Sequence, residues 1–250
     1  MFDLNRLKDP EFIKSPFPIL CFDDFLTNDE NNEIYNSIMK EDNFDENKWS
    51  GRKQIRNGSE NYVRLLSQNK IIENLYLFFN DKKILEFFLK KFENNSKFYL
   101  DRNKILKNFK NDNKQNIFQK LKSKIFQKNE ISYLEMDFSK ASKGYCREPH
   151  HDKNTRIISF LIYFNDLKPE DGGALEIFEY KKKPEIFLSQ PKSDDLLKVK
   201  TFVPKSKQLI VFLSNPISIH GVSKLSSSSK RVFAYGSYTS NKVINWKLIS

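Results

Sequence analysis

Three histidines occur in the 250-residue chain, and all lie in its second half: His150, His151 and His220. Two of them stand in the tripeptide His150-His151-Asp152. Alternate side chains of an extended segment face the same way, so His150 and Asp152 project together while His151 points elsewhere. His220 follows in Ile219-His220-Gly221-Val222. Two imidazoles and one carboxylate can occupy one face of an octahedral metal and leave the opposite positions open. Iron(II) suits that set, because the open positions accept a bidentate co-substrate and dioxygen. Zinc with a bound water accepts the same donors.

Arg231 narrows the chemistry. It follows the loop Ser223–Lys230 and begins the mostly apolar run Arg231–Tyr238. A hairpin through that loop would place Arg231 beside His220 on the neighbouring strand. A guanidinium there can clamp the distal carboxylate of an anionic co-substrate through two charge-assisted hydrogen bonds. A charge inside so apolar a strand also needs a partner.

The elements that must position these residues are legible in outline. Pro18 to Phe25 is an apolar run suited to a strand. Thr27 and Glu30 form a capping box ahead of Ile34, Tyr35, Ile38 and Met39 at helical spacing. Ile71 to Phe79 and Lys83 to Phe92 repeat the helical pattern. Residues 101–130 are basic with an interleaved apolar stripe, and read as one surface helix or two broken near Asn111–Asn113. From Ile131 onward the character changes to strands. They fall at Ile131–Phe138, Tyr145–His150, Ile157–Phe164, Ala174–Phe178, Leu209–Phe212 and Arg231–Tyr238. In the third of these, Ile157, Ser159, Leu161 and Tyr163 share a mixed face suited to a pocket wall. Ile158, Phe160, Ile162 and Phe164 form a wholly apolar one. Short strands without intervening helices predict an antiparallel sandwich or barrel behind an N-terminal helical layer.

Composition sets the outer bounds. With 38% hydrophobic residues, 23 of the chain being Phe, there is enough apolar material for the core of a domain this long. The net charge of +11 comes mostly from Lys, and Arg occurs only at 6, 52, 56, 64, 102, 147, 156 and 231. Arg forks are the usual tool for specific phosphate and base recognition, so a nucleic-acid partner is disfavoured and a Lys-rich solvated surface expected. Cys21 and Cys146 lie far apart and suggest no disulfide framework, which fits a reducing cytoplasm. No signal-peptide pattern is visible, and no apolar run approaches the about 20 residues of a membrane helix.

Taken in order, the motifs carry a resemblance. The chain reads Pro149-His150-His151-Asp152, Ile158 to Asn165, Gly172-Gly173-Ala174-Leu175, Val203-Pro204, Leu209 to Phe212, His220-Gly221-Val222 and Arg231. Over residues 131–240 this ordered set resembles the prolyl 4-hydroxylase-like branch of the 2-oxoglutarate/iron(II) dioxygenases. The Pro18 to Glu30 stretch also looks like that family's opening. The resemblance implies a single domain, mainly β with flanking α-helices. Its double-stranded β-helix (jelly-roll) core would cover 131–240, with a mostly helical support region over 1–130 and a C-terminal tail at 241–250. It implies iron(II) ligation by His150, Asp152 and His220, binding of the 2-oxoglutarate carboxylate by Arg231, and a hydrogen bond from Tyr163 to the co-substrate. The implied reaction uses dioxygen to hydroxylate an unactivated C–H bond, releases succinate and carbon dioxide, and has ascorbate as a candidate reductant. A peptidyl proline is the implied substrate, with a small metabolite (amino acid, sugar or lipid-linked) as the alternative.

Individual positions refine that expectation. Halogenases of the superfamily look alike but carry Gly or Ala where Asp152 stands, so hydroxylation is favoured. Nucleic-acid dealkylases on a similar scaffold carry a second Arg where this chain has Ser237. A non-catalytic binding barrel would lack a ligand or the co-substrate anchor. Collagen-type prolyl hydroxylases usually carry Lys where Arg231 stands, and Lys205–Lys207 replaces a turn that often holds Gly. The Lys-rich segment Glu179–Val199 is expected to be a loop that helps form the substrate wall.

Overall fold

Five α-helices and thirteen strands lie among residues 2–45, 51–111 and 129–249, which the computed structural model of the chain describes. In chain order they are β1 (Glu11–Ile13), β2 (Ile19–Phe22), α1 (Asn28–Lys40), β3 (Arg52–Ile55), α2 (Glu60–Gln68), α3 (Lys70–Phe79), α4 (Lys82–Glu93), β4 (Phe98–Tyr99) and α5 (Arg102–Asn108). There follow β5 (Ser132–Ala141), β6 (Arg147–His150), β7 (Arg156–Tyr163), β8 (Leu175–Tyr180), β9 (Leu196–Phe202), β10 (Leu209–Leu213), β11 (His220–Val222), β12 (Arg231–Ser240) and β13 (Lys247–Leu248).

The strands build an antiparallel seven-stranded sheet, ordered β1-β2-β10-β7-β12-β5-β3, and an antiparallel four-stranded one, β6-β11-β8-β9. From β5 onward the chain passes back and forth between them: β5, β7, β10 and β12 join the larger sheet, β6, β8, β9 and β11 the smaller. The helices cover the outer face of the larger sheet. Each of the first four begins at a side chain that accepts a backbone N–H, namely Thr27, Ser59, Asn69 and Asp81. The predicted capping box is formed, and the Arg6 guanidinium forks onto the same Glu30 carboxylate at 2.6 and 2.7 Å.

Strand alternation decides which residues meet the helices. Ile158, Phe160 and Ile162 of β7 pack outward with Leu134, Met136, Phe138 and Tyr238 against Phe79, Leu85 and Phe88. The Phe160 ring stacks on Phe79 at 4.3 Å, and the Tyr238 hydroxyl donates to the Phe79 carbonyl at 2.7 Å. Gly236 makes that stack fit, since a Cβ there would lie 2.0 Å from the Phe160 ring. Leu161 and Tyr163 point the other way, into a second cluster between the sheets with Leu175, Ile177, Ile210, Phe212 and Phe233. Burying each such side chain is worth about 1.5–3 kcal/mol. The mixed face of β7 is therefore the interior wall from Ser159 to Tyr163, whereas Ile157, expected on that face, packs with the helix-side cluster.

Several expectations change. Arg231 is not on a hairpin with His220: β11 has both edges taken by β6 and β8, so the loop after it crosses to the other sheet, where β12 lies between β5 and β7. That loop is laced onto the β5–β6 connection by Gly144 N–H to Leu225 O (2.8 Å) and Leu225 N–H to Tyr145 O (2.9 Å). The mostly helical region before residue 130 also supplies both margins of the larger sheet, β1–β2 and β3. The segment expected as a tail at 241–250 also carries a strand, because β13 pairs with β4. The segment Glu179–Val199 is a loop only in its middle, since β8 runs to Tyr180 and β9 starts at Leu196. Of the basic stretch 101–130, α5 forms as expected, and residues 112–128 lie outside the described residues.

Candidate active site

His150 is the last residue of β6 and His220 the first of β11, and the antiparallel register sets them directly opposite one another. Their rings lie 4.5 Å apart. Asp152, two residues past the end of β6, completes a group whose ligand atoms all lie within 4.8 Å of one another. His151 is absent from it: the ring is buried, its Nδ1 is 2.7 Å from the Asp152 carbonyl, and its N–H donates to Ser189 O. Alternation thus separates the two adjacent histidines as expected.

Each clustered imidazole is oriented by its own backbone. Nδ1 of His150 lies 2.8 Å from the Glu148 carbonyl, and Nδ1 of His220 lies 2.9 Å from the Ser218 carbonyl. A carbonyl only accepts, so in both rings Nδ1 carries the proton and Nε2 presents its lone pair. Burial, reinforced by the neighbouring His220, pushes His150 down to about 3, and burial also lowers His220. Both rings are therefore neutral at physiological pH, the state in which imidazole ligates metals. Burial works to raise the pKa of Asp152, but Arg156 beside it prevails and holds the carboxyl well below the usual range.

Arg231 lies in the same inter-sheet space. Phe212, whose ring is 4.9 Å from that of His220, belongs to the same apolar cluster as Phe233, which lies 4.1 Å beneath the Arg231 guanidinium. Arg231 is 1% exposed, and its Nη2 donates to the Tyr163 hydroxyl at 3.2 Å. Its Nε and Nη1 are buried without a hydrogen-bond partner among the described residues. The Gly172–Gly173 turn packs against the loop that leads to Arg231. Both glycines have positive φ, and a Cβ on Gly172 would fall 2.0 Å from the Lys224 carbonyl. Beside His150, a cleft of about 450 Å³ is lined by Cys146, Arg147, Glu148 and Pro149 on one side and Gln190 to Ser193 on the other.

The sequence reading missed Arg156, Tyr235, Ser159 and Arg147. Arg147 Nη2 donates to His150 Nε2 at 3.3 Å. Arg156 bonds Asp152 Oδ1 at 2.6 Å, and Ser159 bonds Oδ2 at 2.5 Å. Two signals pointed to them: Ser159 interrupts an apolar strand on its inner face, and Tyr235 shares the face of Arg231.

Residues 136–238 match the family model described as the 2OG-Fe(II) oxygenase superfamily. The match covers less than half of the chain. It runs from β5 to β12, spans both sheets, and includes His150, Asp152, His220, Tyr163 and Arg231. Iron(II) and 2-oxoglutarate are the metal and the co-substrate that the superfamily's description names. Among solved structures, the chain is similar to a prolyl 4-hydroxylase from Phytophthora capsici. Identity is 13% and the TM-score 0.53, over 88% of this chain and 58% of that one. It is also similar to HygX from Streptomyces hygroscopicus with nickel and 2-oxoglutarate bound, with 12% identity and a TM-score of 0.51 over 88% and 82%. The chain thus spans under two thirds of the length of the Phytophthora structure, and at these identities the likeness concerns the fold. A search of the curated proteins finds no match. No helix among the described residues is long and apolar enough to cross a membrane.

Proposed function

We propose that the chain is a single-domain, iron(II)- and 2-oxoglutarate-dependent hydroxylase with a jelly-roll core. His150, Asp152 and His220 hold the metal, and Arg231 and Tyr163 hold the far carboxylate of 2-oxoglutarate. The observation that carries this reading is Arg231, a buried guanidinium with two unpartnered donors in the inter-sheet space that His220 borders. A buried charge of this kind requires an anion, and a carboxylate matches the fork of Nε and Nη1. The donor set also fits the metal, because two neutral imidazoles and one carboxylate bring their ligand atoms within 4.8 Å of one another. The passage of strands β5 to β12 between two sheets supports the jelly-roll reading.

Iron(II) and 2-oxoglutarate, when bound, supply the reduction of dioxygen that inserts one oxygen atom into a C–H bond, the co-substrate leaving as succinate and carbon dioxide. The chain's own residues do the rest. Glu148 and Ser218 carbonyls hold the Nδ1 protons, so both imidazoles keep one orientation. Leu161, Ile177, Phe212 and Phe233 exclude water around the co-substrate, which strengthens the Arg231 ion pair. The cleft between residues 146–150 and 190–193 is the approach for the substrate, consistent with a wall built partly from the loop after β8.

A peptidyl proline is the substrate we favour, with a small metabolite as the alternative. The test is dioxygen uptake and succinate release by the iron(II)-loaded protein, first without an added substrate and then with proline-containing peptides or free amino acids and sugars. Stimulation by a peptide that gains one oxygen atom supports the peptidyl reading, and stimulation only by small molecules replaces it. Absence of 2-oxoglutarate-dependent oxygen uptake under every condition overturns the oxygenase reading.

A further inference from the structure

Asp152 is gripped by a set of side chains whose protons can be counted. Arg156 Nη1 donates to Asp152 Oδ1 at 2.6 Å and to the Tyr235 oxygen at 2.6 Å, which uses both of its hydrogens. Tyr235 Oη lies 3.0 Å from each carboxylate oxygen and has one proton to give. Ser159 Oγ donates to Oδ2 at 2.5 Å and lies 2.8 Å from Ser214 Oγ, from which it accepts. A carboxylate offers about four lone-pair sites. Arg156, Tyr235 and Ser159 together fill three, which leaves a single lone pair for anything else. A metal held by both oxygens would need a lone pair on each.

We infer that Arg156, Tyr235 and Ser159 are positioning residues that restrict Asp152 to one-oxygen ligation and thereby keep the remaining metal positions open. The inference rests on the metal site proposed above. Tyr235 selects the oxygen: when its proton goes to Oδ1, that atom is saturated by Arg156 and Tyr235, and Oδ2 keeps the free pair. The grip is rigid. The Arg156 guanidinium also lies 4.9 Å over the Tyr235 ring, and the Asp152 side chain is 3% exposed. Its members come from adjacent strands of the larger sheet, Arg156 and Ser159 from β7 and Tyr235 from β12, while Asp152 follows β6 of the smaller sheet. The clamp therefore joins the two sheets at the metal. Tyr235 also sits on the same face of β12 as Arg231 and Phe233, so one strand carries both the carboxylate clamp and the co-substrate anchor.

The test uses the full chain and Co(II), which binds without turnover. Co(II) affinity is measured by titration, and the carboxylate stretching modes by difference infrared spectroscopy between metal-free and Co(II)-loaded protein. The wild type is expected to show the wide splitting of one-oxygen ligation. Tyr235→Phe, which frees a lone pair on Oδ1, and Ser159→Ala, which lets the Tyr235 proton pass to Oδ2 and so frees one on Oδ1, are expected to narrow it toward two-oxygen ligation and to weaken affinity about 10–100-fold. Arg156→Gln should do the same and Arg156→Lys should restore part of the loss; if Arg156→Gln does not fold, the other two variants carry the test. Wild-type affinity within twofold and unchanged splitting in the Tyr235 and Ser159 variants would overturn the clamp. If the wild type binds no Co(II) that is lost in His150→Ala, the metal reading itself falls, and that control separates the two failures.

Discussion

Replacing Arg231 by Met separates what this residue does for binding from what it does to stability. The two unpartnered N–H groups of the buried guanidinium each cost about 1–3 kcal/mol. Against this stand the Tyr163 hydrogen bond, worth about 1 kcal/mol, and the contacts with the rings of Phe233, Tyr163 and Tyr145 at 4.1, 5.1 and 5.9 Å, together about 2 kcal/mol. Met keeps the length and apolar stem of the side chain without the charge, so without 2-oxoglutarate the variant should be more stable by about 1 kcal/mol, taking the middle of each range. For a chain of this size that raises the melting temperature by about 2–4 °C. With 2-oxoglutarate the order reverses. At a hundredfold excess over its dissociation constant the ligand stabilises the wild type by about 2.7 kcal/mol, and the variant gains nothing. Calorimetry of the Ni(II)-loaded proteins with and without 2-oxoglutarate reads both effects. A variant that melts below the wild type without ligand, or that keeps the ligand-induced rise, would refute the assignment of Arg231 as an anion anchor held in an unpaired state.

Three further outcomes follow from packing and charge. Gly236→Ala drives a methyl into the Phe160 ring and off its stack with Phe79, which should lower the urea midpoint by the equivalent of about 1–3 kcal/mol; an unchanged midpoint would contradict the stack. Burial pushes the Cys21 thiol up to about 12 while Cys146 is exposed, so a thiol reagent at mild pH should titrate one group in the native protein and two after unfolding. Two fast native thiols would contradict that burial. At Glu30, burial raises the pKa, but the Arg6 fork and the Thr27 N–H outweigh it and hold the carboxyl below its ordinary value of 4.5. A folded pKa below the unfolded one means stabilisation that is present above 4.5 and lost as pH falls through the folded value. The stability gap between the wild type and Glu30→Gln should therefore shrink from pH 7 to pH 3 in urea titrations, and a constant gap would contradict the ion pair.

What the sequence made legible were features whose signal is local. The histidine and aspartate on alternate positions, the capping box of α1, and the two faces of β7 all follow from periodicity within a few residues. The sheet to which each strand belongs does not. The loop from Ser223 to Lys230 has the length of a hairpin connection, yet it crosses between sheets, because both edges of β11 are already occupied. β3 and β9 were missed because Arg52 to Ile55 and Leu196 to Phe202 are rich in Lys and polar residues. β3 closes one edge of its sheet and β9 another, and solvent-facing edge strands carry such residues. Arg156 and Tyr235 read as ordinary members of a strand. Only the fold brings them to the carboxylate of Asp152, from β7 and β12.

The central claim is that His150, Asp152 and His220 hold iron(II) with 2-oxoglutarate bound beside it. Its most direct test is the visible absorption of the anaerobic protein on addition of iron(II) and then 2-oxoglutarate. A weak metal-to-ligand charge-transfer band is expected that requires both additions and disappears in His150→Ala and Asp152→Ala, while His151→Ala retains it. A wild-type protein without the band, or a band that survives both ligand substitutions, would contradict the claim.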